Sequence, residues 1–235
     1  MKHSEFYRVG FHDTDAQGNM SAAAALRYMQ ETAYLQLHKL GPTPAELAEA
    51  GKGFILSRIA LSFYRPLHAY EEIEVQSWTC ESKGYSFIRC YRIIRDGVIA
   101  AEGSSVWALM DLAKRRPIKV SDFTYDFEDD EPLEIDVPKK IKLPESMRLV
   151  GEYAVSYSDA DTNSHMTNTR YPELICDFIP DMRDRRVSNL AINFLGEAPV
   201  GTNLKVYYSR YDDTAYIRTV NESGAANIEA EIILE

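Results

Sequence analysis

The chain carries the same pattern twice, and this duplication restricts its fold more than any other feature. Tyr7-Arg-Val-Gly-Phe-His-Asp13-Thr-Asp15-Ala-Gln-Gly-Asn-Met20 aligns without gaps on Tyr153-Ala-Val-Ser-Tyr-Ser-Asp159-Ala-Asp161-Thr-Asn-Ser-His-Met166, an offset of 146 residues. Ser57-Arg-Ile-Ala-Leu-Ser-Phe63 then matches Ser188-Asn-Leu-Ala-Ile-Asn-Phe194 at 131, Phe87-Ile-Arg89 matches Tyr216-Ile-Arg218 at 129, and Glu102 falls on Glu229 at 127. The matches keep one order in both copies, as a repeated structural unit requires and a single chance likeness does not. Between the offsets of 146 and 131, copy one has 15 more residues than copy two. They include Gly41-Pro-Thr-Pro-Ala-Glu-Leu-Ala-Glu-Ala50, where Thr43 as N-cap and Pro44 as first helical residue predict an extra short helix.

Both copies predict the same series of elements. A short strand (residues 6–11; 152–157) enters an Asp-rich turn, and a helix follows (residues 22–39; 169–179). Ile73-Glu-Val-Gln-Ser-Trp78 and Leu204-Lys-Val-Tyr-Tyr208 alternate with a period of two, the signature of half-buried strands. Arg95-Asp-Gly-Val and Glu222-Ser-Gly-Ala read as hairpin turns, and the closing strands run over residues 100–110 and 226–234. One central helix against a long antiparallel sheet in each copy gives an α+β architecture. The expected division is an N-terminal domain over residues 1–120, a linker over 121–147 and a C-terminal domain over 148–235. The linker holds Glu128-Asp-Asp-Glu131, Pro132, Pro138 and Pro144, and reads as a solvated surface connection.

Composition narrows the partners. A net charge of −10 argues against nucleic acid, whose phosphates need a basic face. No apolar stretch approaches the roughly 20 residues of a membrane span, and the polar N-terminus has no signal-peptide core. Cys80, Cys90 and Cys176 are odd in number and lack C-x-x-C spacing. They read as small hydrophobes in a cytoplasmic protein, with no metal or disulfide role.

The duplicated Asp-x-Asp turn lies where a strand passes into a helix, a junction with unpaired N–H groups and the positive end of a helix dipole. That setting suits a thioester carbonyl, whose oxygen becomes anionic during hydrolysis; aspartates also simply cap such turns. The copies differ at this point. Copy two has Asp161-Thr-Asn163-Ser-His165 where copy one has Asp15-Ala-Gln17-Gly-Asn19. Histidine is the side chain whose ordinary pKa lies nearest neutrality. After the matched strand, Glu197 falls on Pro66. Only copy two therefore places a histidine and a carboxylate at these aligned positions, and one active site in the second copy follows.

These residues resemble the acyl-acyl carrier protein (acyl-ACP) thioesterase family across nearly the whole chain. Asp161-Thr-Asn163-Ser-His165-Met-Thr-Asn168 matches its D-x-N-x-H-x-x-N motif, Gln30-Glu-Thr-Ala33 its Q-E-T-A helix, and Val106-Trp107 through Arg115-Arg116-Pro its tryptophan strand and T-R-R turn. His12-Asp-Thr-Asp15-Ala-Gln-Gly18 also resembles the turn of single-hotdog acyl-CoA thioesterases. The resemblance implies a tandem hotdog fold with the acyl chain along the first copy and catalysis in the second. Asp161, Asn163, His165 and Glu197 are the implied catalytic residues, without metal or organic cofactor. Glu197, alone or with His165, activates water or attacks as a carboxylate; Asn163 orients water or thioester; Asp161 positions His165 or its neighbours; N–H groups at the start of the second helix hold the oxyanion. Plant members commonly have Cys after the glutamate, and here that residue is Ala198, which argues against a thiol nucleophile. Asp111 likewise stands where Asn is common.

The implied partner is acyl carrier protein bearing an acyl-phosphopantetheine, met by a monomer or homodimer. Lys114, Arg115 and Arg116, with Lys119, form the densest basic cluster for an acidic carrier, ahead of Arg183, Arg185 and Arg186 or Lys139, Lys140 and Lys142. Leu26, Met29, Ala33, Leu37 and Leu40 at helical spacing, with Phe54-Ile-Leu56, provide an apolar lining or core. The alternatives are an acyl-CoA thioesterase on the same fold and a non-catalytic acyl-binding module.

Overall fold

Alternating apolar and polar residues pair into strands, and the computed structural model, which describes residues 2–123 and 129–235, assembles them into one antiparallel sheet of eleven. Glu128 of the acidic linker stretch lies outside the described residues. The N-terminal half contributes β1 (His3–Arg8), α1 (Ala22–Leu40), α2 (Pro44–Glu49), β2 (Lys52–Phe63), β3 (Glu72–Lys83), β4 (Ser86–Arg95), β5 (Val98–Asp111) and the two-residue β6 (Arg116–Pro117). The C-terminal half contributes β7 (Arg148–Ala154), α3 (Tyr171–Asp177), β8 (Val187–Phe194), β9 (Asn203–Tyr211), β10 (Thr214–Val220) and β11 (Ala226–Leu234). Strand order runs β1-β3-β4-β5-β2-β8-β11-β10-β9-β7, with β6 added on β5.

The two halves meet where β2 pairs with β8. Ala60 faces Ala191, flanked by Ile59 against Ile192 and Leu61 against Leu190. Ala60 and Ala191 are also partners at the offset of 131, so the pairing is symmetric about this one point. Gly103 opposite Leu61 and Ala230 opposite Ile192 likewise preserve the offset of 127. The match at 129 does not hold. Tyr91 pairs with Gly103 and Ile217 with Ala230, so these strands correspond at 126, and Arg218 is the counterpart of Arg92. Each of those arginines lies across from a glutamate, Arg92 from Glu102 and Arg218 from Glu229. A slip of three turns every side chain of a strand to the wrong face, and a three-residue match cannot detect that.

The helices lie against the sheet through small and apolar faces. The Ser21 hydroxyl caps α1 by accepting from the Ala24 N–H at 3.1 Å, and Gly41 takes a positive φ where the helix stops. Leu26, Met29, Ala33 and Leu37 are buried, whereas Leu40, the last helical residue, projects into solvent. The predicted extra helix is α2, closed by reciprocal bonds between Thr43 and Glu46. The second central helix is shorter than the predicted residues 169–179. Asn168–Arg170 forms a 3-10 turn before α3, which ends at Asp177. The described residues of the 121–147 segment pack on the N-terminal half. Leu133 packs on Trp78, Cys80 and Cys90, and the Glu131 carbonyl accepts from the Trp78 indole at 2.9 Å. Among the described residues no helix is long and apolar enough to cross a membrane.

The first strands of both halves end earlier than predicted, at Arg8 and Ala154, because an aspartate curls the chain. Asp13 accepts from the Gly10 N–H at 3.2 Å, and Asp159 from the Ser156 N–H at 2.8 Å, shaping 3-10 turns over Phe11–Asp13 and Tyr157–Asp159. Asp13 also accepts from Tyr28 and Arg27, and Asp159 from Arg170. Burial alone raises both carboxyl pKa values, but these bonds outweigh it and leave them below the ordinary aspartate range. Arg27 continues to Glu173 at 3.0 Å, and Glu173 also pairs with Arg170, so both turns join one charged network between α1 and α3.

Two outcomes follow from this packing. A Cβ at Gly103 would sit 2.8 Å from Leu61 Cδ2 and 3.2 Å from Met29 Sδ. Gly103→Val is therefore expected to lower unfolding free energy by about 1–3 kcal/mol in chemical denaturation, the usual cost of overpacking; an unchanged midpoint would mean that α1 rises freely off the sheet. Because the folded pKa values of Asp13 and Asp159 lie below the unfolded ones, their stabilisation is complete above about pH 5 and is lost as pH falls through the folded values. Asp159→Asn should cost about 1–3 kcal/mol near neutral pH and flatten the loss of stability below pH ~4. Parallel acid limbs for variant and wild type would exclude Asp159 as a source.

Candidate active site

The turn that follows each 3-10 segment is built from local hydrogen bonds. In the C-terminal half the Asp161 carboxylate accepts from the Asn163 N–H at 2.8 Å, its carbonyl accepts from Ser164 N–H at 3.0 Å, and its N–H donates to the His165 carbonyl at 2.9 Å. Ser164 takes φ +63° at the tip. The N-terminal turn repeats this frame. The Asp15 carboxylate accepts from Gln17 and Asn19 N–H groups, its N–H donates to the Asn19 carbonyl at 2.7 Å, and Gly18 takes φ +79°. Aspartate serves both positions because its short carboxylate reaches the backbone two residues on.

A second segment then crosses each turn. His165 bridges to Pro199, and the Met166 N–H donates to the Ala198 carbonyl at 2.9 Å. This brings Glu197, which follows β8, alongside the turn. His165 Nε2 lies 3.7 Å from Glu197 Oε2, with the imidazole 31% and the carboxylate 61% exposed. Asn163 is exposed in the same turn, one residue beyond Thr162. The four candidates Asp161, Asn163, His165 and Glu197 thus lie on one turn and the segment crossing it. Asp161 orders the backbone around Asn163 and His165.

The N-terminal half has the same crossing and different chemistry. Asn19 bridges to His68, and Met20 N–H donates to the Leu67 carbonyl at 2.6 Å. Asn19 and Pro66 occupy the places of His165 and Glu197. A cavity of about 560 Å³ lies here, against Asp15, Gln17, Asn19 and the α3 residues Cys176 and Asp177. It does not open at the His165–Glu197 pair. The acid–base pair outranks the cavity as a catalytic candidate, because the cavity's own turn lacks both groups. Gln17, the counterpart of Asn163, donates its amide to the carbonyls of Met182 at 3.0 Å and Arg183 at 2.5 Å. Its one additional methylene was legible in the sequence, but the carbonyls it reaches were not.

Other candidates divide. Burial pushes the Cys176 thiol up to about 12, so it is protonated and unreactive near neutrality. The start of α3 offers fewer oxyanion donors than the sequence implies, since Pro172 is its second residue and has no N–H. In the basic cluster, Lys114 pairs with Asp111 at 3.1 Å, whereas Arg115 and Arg116 are exposed on the β5–β6 hairpin without an ion-pair partner among the described residues. Arg185 pairs with Asp213, Arg186 with Glu235 and Lys139 with Asp136.

The acyl-ACP thioesterase N-terminal domain profile matches residues 1–127, and the C-terminal domain profile matches residues 144–234. No curated protein sequence matches the chain. Among solved structures, an acyl-ACP thioesterase from Bacteroides thetaiotaomicron superposes with a TM-score of 0.92 at 23% identity, over 100% of this chain and 98% of that one. The 12:0-ACP thioesterase from Umbellularia californica superposes with a TM-score of 0.87 at 16% identity, over 100% and 97%. At such identities the structures establish the fold alone, and the two domain matches establish the family. With both family domains matched in order along the chain, it belongs to the acyl-ACP thioesterase family, and it is a thioester hydrolase acting on acyl-ACP.

Proposed function

We propose that hydrolysis takes place at a single site in the C-terminal half, worked by Glu197 and His165. The observation that carries this reading is their 3.7 Å approach, set against Asn19 and Pro66 in an otherwise equivalent frame. At that separation a water held by His165 can pass its proton to Glu197, and the oxygen then adds to the thioester carbonyl. The carbon–sulfur bond breaks, the proton returns to the departing thiolate, and free fatty acid and the carrier's thiol are released. In the second route open to the same residues, Glu197 attacks directly and water hydrolyses the resulting anhydride. Asn163 orients water or thioester from the exposed side of the turn, and Asp161 holds the turn in shape.

The fold is read as two hotdog units fused in tandem. Residues 1–120 bind the acyl chain and residues 148–235 carry the chemistry, with the linker anchored on the outer face of the first unit. The three free cysteines fit a cytoplasmic setting. Arg115 and Arg116 face solvent on a protein of net charge −10 and are the proposed docking point for the acidic carrier.

His165→Ala and Glu197→Gln are each expected to remain folded and to lower kcat on acyl-ACP by ~100-fold or more, as for loss of a general acid–base group or nucleophile. Near-normal turnover by either folded variant would remove that residue from the mechanism, and an acyl group trapped on Glu197 would select the second route. Reversing Arg115 and Arg116 to Glu should raise KM for acyl-ACP while sparing a small acyl-thioester substrate. The wild-type advantage on acyl-ACP should also shrink with added salt. Equal losses on both substrates would place the pair in a structural role.

A further inference from the structure

The inner face of the N-terminal half is polar where the C-terminal half is apolar. Register assigns the counterparts: Ser77 corresponds to Tyr208, Arg89 to Ala215, Ser105 to Ile232 and Trp107 to Leu234. Ala215, Ile232 and Leu234 are fully packed, so the fold itself fills these positions with hydrocarbon. In the N-terminal half Arg89 stands among them, only 7% exposed, with no carboxylate partner among the described residues. Its Nη1 donates to Gln36 Oε1 of α1 at 2.5 Å and to Ser77 Oγ at 2.8 Å. Ser105 bonds the Arg89 carbonyl and receives the Trp107 indole N–H at 2.8 Å. On the same buried face of α1, Gln30 Nε2 has no hydrogen-bond partner among the described residues. A desolvated guanidinium without a counter-charge is costly, and packing alone gives no reason to keep one.

Resting on the reading that the acyl chain occupies the N-terminal half, we infer that Arg89 is a specificity-determining residue, forming with Gln36 and Ser77 a polar end wall that limits the length of acyl chain accepted. The sheet face beneath α1 is packed and apolar on one side of this level, around Val75, Ile93 and Ala101, and turns polar at Ser77, Arg89 and Ser105. A methyl terminus pushed against the wall must displace hydrogen bonds from a buried cation and offers none in return. Chains that stop short of it leave those bonds intact.

The test is a matched series of saturated acyl-ACPs of increasing length, assayed with wild type, Arg89→Met, and Arg89→Ala combined with Ser105→Ile. The double variant installs the residues that the C-terminal half already packs at these positions. The ratio of kcat/KM for the longest chain to that for the best wild-type chain should rise by about tenfold or more in both variants, the scale on which an apolar pocket discriminates by length. Arg89→Lys, which keeps a buried cation, should retain the wild-type cut-off. A folded, active variant with the wild-type length profile overturns the inference. So does failure of both charge-removing variants to fold, since the arginine would then be a structural requirement. A wild type inactive on every acyl-ACP would instead refute the underlying functional reading.

Discussion

Everything in this molecule hangs on the antiparallel pairing of β2 with β8. Without it each half presents an open edge of unpaired N–H and C=O groups, and with it one sheet runs through both halves. The pairing is centred on two alanines that correspond in the duplicated sequence, so it relates the halves by an approximate twofold rotation. Contacts across the junction follow. Gln17 of the first turn reaches the carbonyls after α3, and Arg27 of α1 pairs with Glu173 of α3.

One backbone frame thus serves two purposes. In each turn an inner aspartate, Asp13 or Asp159, holds the 3-10 segment, and an outer one, Asp15 or Asp161, holds the loop. Neither task needs the side chains that differ between the copies. The frame therefore tolerates histidine or asparagine, and glutamate or proline, at the crossing. A histidine beside a glutamate in one half and an asparagine beside a proline in the other are two outcomes of the same local hydrogen bonding.

The same separation holds on the inner face of the sheet. The C-terminal half fills its register positions with alanine, isoleucine and leucine, whereas the N-terminal half places serine, arginine and tryptophan there and binds them together by hydrogen bonds. A buried polar cluster is stable only while its members stay paired, which makes it a sharper boundary to a hydrocarbon chain than a wall of movable apolar side chains.

The sequence by itself determined what rests on short spacings. The duplication, the α2 helix with Thr43 as its N-cap and Pro44 as its first residue, the second-copy position of His165 and its pairing candidate Glu197, and the extent of β11 were all legible, because caps, turns and alternation are encoded within a few residues. The ends of β1 and β7 were less so, since aspartate-driven 3-10 turns compete with the strands, and the second-copy helix loses its first turn to a 3-10 segment over Asn168–Arg170. What only the tertiary structure decided is which residues face one another across strands. Sequence alignment put Arg218 opposite the wrong arginine, and nothing local marked Arg89 as buried or Gln17 as a bridge to the other half. Side-chain facing alternates at every residue, so one odd shift in a distant pairing reverses it, and that pairing is set by the packing of the two halves together.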